Sequence, residues 1–175
     1  MKAVRLNPQE QKLWSTLQFF MRLLALSLPL YLVLFFLADM SALQLLVAGN
    51  SAWLMGLLGW DVIQEGSLLG LGAFSFLVSP DCTGWKSMLF LFALLFAVPR
   101  IPNRKRLLGL FIGIPIIYIG NLGRIVFTVF VQGIYGPETA GFVHDYLWRL
   151  GLAVLVLLMW GFWLRTALIR EKRQK

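Results

Sequence analysis

The chain has 175 residues, of which 59% are hydrophobic and 14% charged, well below the roughly one quarter charged in a soluble domain. Together with a mean hydropathy of +0.76, this excludes a conventional water-soluble core and predicts a single membrane domain over residues 1–175. The net charge of +8 sits in clusters at 2–12, 100–106 and 165–175 that flank apolar runs, which reads as cytoplasmic anchoring rather than nucleic-acid binding.

In chain order, residues 1–16 are polar and basic. The apolar run that follows is long, contains Gln18 and Arg22, and has no small-x-small site before the next segment, unlike a cleaved signal peptide. It predicts a first span at 17–38, with Pro29 in its middle, where bilayer helices tolerate a kink. Residues 41–59 are apolar enough to cross but are interrupted by Gln44, Gly49, Asn50 and Ser51 and crowded at the end by Gly56 and Gly59. At 60–79 the glycines Gly66, Gly70 and Gly72 punctuate short runs of Val, Ile and Phe, near Asp61, Gln64 and Glu65. That pattern predicts a small extramembrane hairpin. A span at 83–99 ends at Pro99, the basic loop 100–106 follows, and a second long span covers 107–131. Residues 132–146, with Gly133, Gly136 and Pro137, read as a polar loop, and 147–168 as the last span.

The fold class is therefore an all-α polytopic membrane protein, a bundle of four spanning helices with a small hairpin before the cysteine. Three basic clusters put the N-terminus, the 100–106 loop and the tail in the cytoplasm, which allows four crossings for five apolar segments. The weakest spanner, 41–59, is expected as an interfacial or re-entrant helix on the outer face, with Trp53 and Trp60 near the headgroups. The alternative is five crossings with the N-terminus outside. In either case the segments around 60–81 and 132–146 face outward, on the outer side of the cell membrane.

Three residues stand out against this background. Cys82 is the only cysteine and so forms no internal disulfide. Ser79 and Pro80 suit an N-cap and first helical position, which would put Cys82 in a helix's first turn, where the free N–H groups favour a thiolate. Arg124 lies inside an apolar span, seven residues before its outer end and so about 10 Å below the surface, within reach of a snorkelling guanidinium. His144 is the only histidine and precedes the last span. All three fall in the outer third of the membrane on consecutive segments, so they can converge. Each also has an ordinary reading: a buried small hydrophobe for Cys82, neutralisation of Asp81 or Glu138 for Arg124, an interfacial side chain beside Tyr146 and Trp148 for His144. Lys86 reads as a headgroup anchor and Asp145 as a partner of Arg149. Arg124 is the most specific of the three, since a central arginine costs about 3 kcal/mol on insertion and faces protein or water. Asn121 and Thr128, at i−3 and i+4, share its helix face, and Gly109 and Gly113 offer close helix contact.

In this order the residues resemble the exosortase/archaeosortase family of membrane-embedded transpeptidases. Asp81-Cys82-Thr83-Gly84-Trp85-Lys86-Ser87 is similar to its cysteine motif, Asn121-Leu122-Gly123-Arg124-Ile125 to its Asn-x-x-Arg-Ile motif, and His144 to its third catalytic position, over roughly residues 40–165. The resemblance implies Cys82, Arg124 and His144 as catalytic residues, supported by Asp81, Thr83, Gly84, Ser87 and Asn121, with no metal and no cofactor. It implies a substrate that is an exported protein whose C-terminus carries a short motif, a transmembrane helix and a basic cluster. Cleavage would pass through a Cys82 thioester, with transfer to a surface or lipid acceptor. A non-catalytic assembly factor binding sorted surface proteins is the alternative. A channel using Arg124 is disfavoured, because the other spans carry almost no polar residues to line a path.

Overall fold

The computed structural model describes residues 7–35, 39–72, 74–146 and 150–172. The chain is mainly helical: α1 (Pro8–Phe35), α2 (Ser41–Leu57), α3 (Trp85–Ala97), α4 (Asn103–Tyr146) and α5 (Leu152–Lys172). Between α2 and α3 lie three short strands, β1 (Ile63–Glu65), β2 (Leu68–Leu71) and β3 (Phe74–Leu77), and a 3₁₀ turn at Pro80–Thr83. The end of the predicted first span at 36–38 and the start of the last, with Trp148 and Arg149, lie outside the described residues.

The helix α1 starts well ahead of its apolar run. Pro8 occupies a first helical position, and Glu10 Oε2 accepts from the Asn7 backbone N–H at 2.7 Å, one half of a capping box. No breaker follows until Pro29, which α1 runs through. The α3 helix is shorter than the predicted 83–99. Gly84 interrupts it by taking a left-handed conformation, φ 79°, that separates the 3₁₀ turn from the helix proper.

Residues 60–79 form a three-stranded antiparallel meander rather than a two-stranded hairpin, in the order β1-β2-β3. Ile63 pairs with Gly70, and Leu68 with Leu77. Leu69 of β2 turns inward and is fully buried.

The largest departure from the sequence reading lies at 132–146, which is helix and not loop. The α4 segment runs 44 residues and breaks at one residue, Gly136, with φ 84° and ψ 173°. Only glycine occupies that region readily. Pro137 then opens a new helical stretch with Glu138 in its first turn, a favourable restart. The stretch 137–146 is thereby free to change direction and carry His144 back over the end of the bundle.

Two larger clusters, with a third small one around Val98, Ile101 and Ala167, hold the helices together. One joins α2, the sheet, the 3₁₀ turn and α4 through Val47, Met55, Leu69, Val78, Cys82, Ile125 and Val129. The other joins α3, α4 and α5 through Leu91, Leu94, Leu95, Ile117 and Val156, with Phe19 and Leu23 of α1 packed against it. As expected from the sequence, glycines on α4 allow close approach. A side chain at Gly109 would meet Trp163 Nε1 at 2.8 Å, and one at Gly113 would collide with Leu91.

The outward helix surfaces are apolar. Phe111 and Phe162 are 80% and 73% exposed, a surface suited to lipid and not to water. By length and composition α4 is the one helix among the described residues that meets the requirement for crossing a membrane. The α3 helix and the apolar part of α5, Leu152–Ala167, are shorter.

Candidate active site

The site is built on the 3₁₀ turn and on both parts of α4. Cys82 N–H donates to Ser79 O at 2.9 Å, and Thr83 Oγ1 donates to Pro80 O at 2.8 Å, which fixes the turn around the thiol. Ser79 does not act as a side-chain cap. Its hydroxyl lies instead 3.3 Å from Cys82 Sγ. Gly84 separates the turn from α3, and the thiolate is stabilised mainly by side chains, with a further hydrogen bond from the Ser79 backbone.

His144 Nε2 lies 3.5 Å from Cys82 Sγ across 62 residues of chain. Cys82 is 2% exposed, and it sits in the turn ahead of α3, outside the helical segments. Burial pushes its thiol up, and this is outweighed by the hydrogen bonds of His144 and Ser79 and by the positive charge of Arg124. The result is a thiol at about 7.

Below the thiol, Asn121 Nδ2 donates to Cys82 O at 2.7 Å, and Arg124 Nη2 donates to Asn121 Oδ1 at 3.1 Å. The guanidinium also interacts electrostatically with Cys82. Thr128 Oγ1 donates to Arg124 O at 2.9 Å. Among the described residues, Ser51, Thr83, Asn121, Arg124 and Thr128 are the buried polar and charged ones. All but Ser51 belong to this constellation, so the polar groups held away from water are concentrated in one place.

Gly84 is tied to the same network. Its backbone angle disfavours any other residue, and an added Cβ would meet Asn121 Cγ at 3.3 Å. Ser87, also expected as a supporting residue, is half-buried, and its N–H closes the first turn of α3 onto Gly84 O at 3.1 Å.

Two flanking expectations change. Asp81 does not neutralise Arg124; it pairs with Lys86 at 2.6 Å on the surface. Lys86 is thereby more than the headgroup anchor predicted. Asp145 Oδ1 lies 3.8 Å from His144 Nδ1, beyond a hydrogen bond, while Arg149, its expected partner, lies outside the described residues.

A cavity of about 270 Å³ opens onto the thiol and the imidazole. Its walls include Phe76 of β3, whose ring meets His144 edge-on with centroids 6.2 Å apart, and Thr128 and Gln132 of α4. Gln132 was not singled out from sequence, although it continues the stripe Asn121, Arg124, Thr128 at i+4 from the last. Cys82, Asn121, Arg124 and His144 thus meet at one place, with Thr83 and Gly84 shaping the turn. Asp81 and Ser87 stand at its periphery.

The cysteine turn, the Asn121–Arg124 pair and His144 are the three landmarks on which the family resemblance rested. The family model described as Transmembrane exosortase (Exosortase_EpsH) matches residues 10–164, reaching further upstream than the landmarks themselves and including most of α1. No curated protein and no solved structure matches the chain significantly. With the match running from α1 into α5, the chain belongs to the transmembrane exosortase family and is a membrane protein.

Proposed function

We propose that the chain is a membrane-embedded cysteine transpeptidase or peptidase that cleaves the C-terminal sorting signal of exported proteins. The observation that carries this reading is the 3.5 Å approach of Cys82 Sγ to His144 Nε2, beside a buried Asn121–Arg124 pair. A nucleophile and a proton carrier that share one cavity, with a buried cation held behind the thiol by Asn121, are the components of acyl transfer.

The Cys82 thiolate attacks the scissile carbonyl carbon, and the negative charge that develops on its oxygen is met by the positive field of Arg124. As the C–N bond breaks, His144 gives a proton to the leaving amine, and the substrate's new C-terminus remains on Sγ as a thioester. An incoming nucleophile, water or an amine or hydroxyl of a surface or lipid acceptor, loses its proton to His144 and attacks the thioester. The thiolate is released. Asn121 positions both ends of this machinery, holding the cysteine backbone through its amide nitrogen and Arg124 through its oxygen.

The substrates under this reading are exported proteins with a short recognition motif followed by a transmembrane helix and a basic cluster. Such a helix docks in lipid beside the bundle, and the motif enters the cavity from the outer side. An outer-face orientation is supported by the basic 100–106 stretch, which lies at the far end of α3 and α4 from Cys82. There Lys105 Nζ donates to Ala167 O at 3.1 Å and Arg106 Nη2 to Val98 O at 2.8 Å.

Four crossings, with α2 lying across the outer end, fit the attachments of α2. Near its start Gln44 donates to Val78 O at 2.8 Å, and just beyond its end Trp60 stacks on Phe130, centroids 5.9 Å apart. A single cysteine introduced at position 3 in a Cys82→Ala background tests the topology: an impermeant thiol reagent leaves it unlabelled in intact cells, and labelling would require the five-crossing arrangement.

Cys82→Ser tests the chemistry. The variant inserts normally and no longer matures a sorted protein carrying the three-part tail. Normal maturation by Cys82→Ser would leave the assembly-factor reading in its place.

A further inference from the structure

Among the described residues, the strand β3 has a partner strand on one side only. The order β1-β2-β3 leaves the far edge of Phe74–Leu77 without a neighbouring strand. The register fixes which groups look outward along that edge. Val78 N–H donates to Ser67 O at 2.9 Å, so Ser67 and Val78 form a hydrogen-bonded pair, and such pairs alternate along an antiparallel ladder. Leu69–Phe76 and Leu71–Phe74 are then bonded pairs, and Leu68–Leu77 and Gly70–Ser75 are not. The N–H and C=O groups of Ser75 and Leu77 therefore point away from β2.

Side chains follow the same two-residue period. Phe74 and Phe76 pack on the cluster that contains Cys82, whereas Ser75 and Leu77 are exposed on the opposite face. Ser75, Phe76 and Leu77 nevertheless all border the cavity that holds Cys82 and His144. Residues facing opposite ways share one cavity along the edge of a strand, so the cavity meets the β3 backbone.

We propose that this free edge is the backbone-recognition subsite of the active site: the substrate residues beside the scissile bond lie extended along Ser75–Leu77 and add a fourth strand to the sheet. The inference rests on the peptide-cleaving reading above. The occupant is an extended peptide because the wall offers amide and carbonyl groups at a peptide's own spacing, and because the thiol at the end of that wall acts on a peptide carbonyl. With only two residues directing their backbone groups outward, the edge engages a segment of about three residues, which suits a short motif. Side-chain selection then falls to the facing wall, where Gln132 supplies a polar group.

The test uses the full-length protein in proteoliposomes and acetyl-Ala-Ala-Ala chloromethyl ketone as probe. Cys82 Sγ bonds to the methylene carbon as chloride leaves. N-methylating the probe's amides one at a time removes one donor each and leaves the side chains alone. Pairing with β3 slows alkylation about tenfold at alternate amides, the order expected for one lost hydrogen bond, and changes it little at those between. Ser75→Pro removes an outward N–H and no bond to β2. It slows the peptide probe about tenfold while iodoacetamide, which has no backbone to pair, reacts at the wild-type rate. Should Ser75→Pro slow both reagents alike, the N-methyl series on the wild-type protein decides. A series that is flat, or slowed equally at every amide, overturns the proposal. A flat series with processing still abolished by Cys82→Ser removes the β3 subsite alone. Intact processing in Cys82→Ser removes the underlying reading whatever the series gives.

Discussion

The Asn121 amide holds the carbonyl of Cys82 at 2.7 Å, joining the backbone of the cysteine turn directly to the helix that carries Arg124. Asn121 is fully buried and its oxygen accepts from Arg124 at 3.1 Å. One side chain thus satisfies a buried acceptor and a buried cation at once. Removing it takes the donor from the Cys82 carbonyl and one acceptor from Arg124.

Asn121→Ala is accordingly expected to lower stability by about 1–3 kcal/mol, the range for an unsatisfied buried group, and to reduce processing more than stability alone explains. Thermal unfolding in detergent and a processing assay on the same preparation separate the two. Processing that falls no further than the loss of folded protein would make Asn121 purely structural.

The reactivity of Cys82 should titrate near 7. Below that value the thiol is protonated and alkylation is slow; as pH rises through it, the rate climbs and then levels. An ordinary thiol at 9.0 would be ionised in only about one molecule in a hundred at pH 7, against about half here. His144→Ala should move the midpoint upward and cut processing by about 10²–10⁴-fold. Iodoacetamide rates across pH 5–10 for both proteins give the answer, and coincident curves would sever the imidazole from the thiol.

Gly84→Ala combines two penalties. A non-glycine residue at φ 79° costs about 1–2 kcal/mol, and the added methyl presses on Asn121. Folded protein is expected to persist at lower melting temperature with processing strongly reduced. An unaltered melting temperature would mean that the turn relaxes without cost.

Gly136→Ala strains the break in α4 by about 1–3 kcal/mol. Its diagnostic effect is on His144, eight residues beyond. Helix content by circular dichroism stays near wild type, while the midpoint of Cys82 alkylation shifts upward as the imidazole leaves its position. A midpoint unchanged from wild type would show that the break does not aim His144.

Much of the site was legible because its members are chemically out of place. An arginine inside an apolar span, a lone cysteine at the edge of one and a lone histidine ahead of another attract suspicion without any geometry. The spacing of Asn121, Arg124 and Thr128 put them on one helix face, and all three are indeed buried together. The break at Gly136 was harder to read. Gly-Pro-Glu signals a loop and a helix start equally well, and only the continuation to Tyr146 decides between them. Ser79 illustrates a different limit. A serine before a proline fits an N-cap, yet the turn that forms is 3₁₀, so its hydroxyl goes to the thiol instead. The third strand was missed because Leu68–Leu71 and Phe74–Leu77 are four residues each, too short for alternation to separate two strands from one.

The chain order of these parts has a consequence for biogenesis. Cys82 and His144 are 62 residues apart, and Asn121 and Arg124 lie between them. During synthesis the cysteine leaves the ribosome first, as an ordinary, mostly protonated thiol. Arg124 arrives with the middle of α4, and His144 only once the segment beyond Gly136 has emerged and folded back. The groups that lower the thiol therefore reach it last, and the nascent chain carries an unactivated cysteine until α4 is complete.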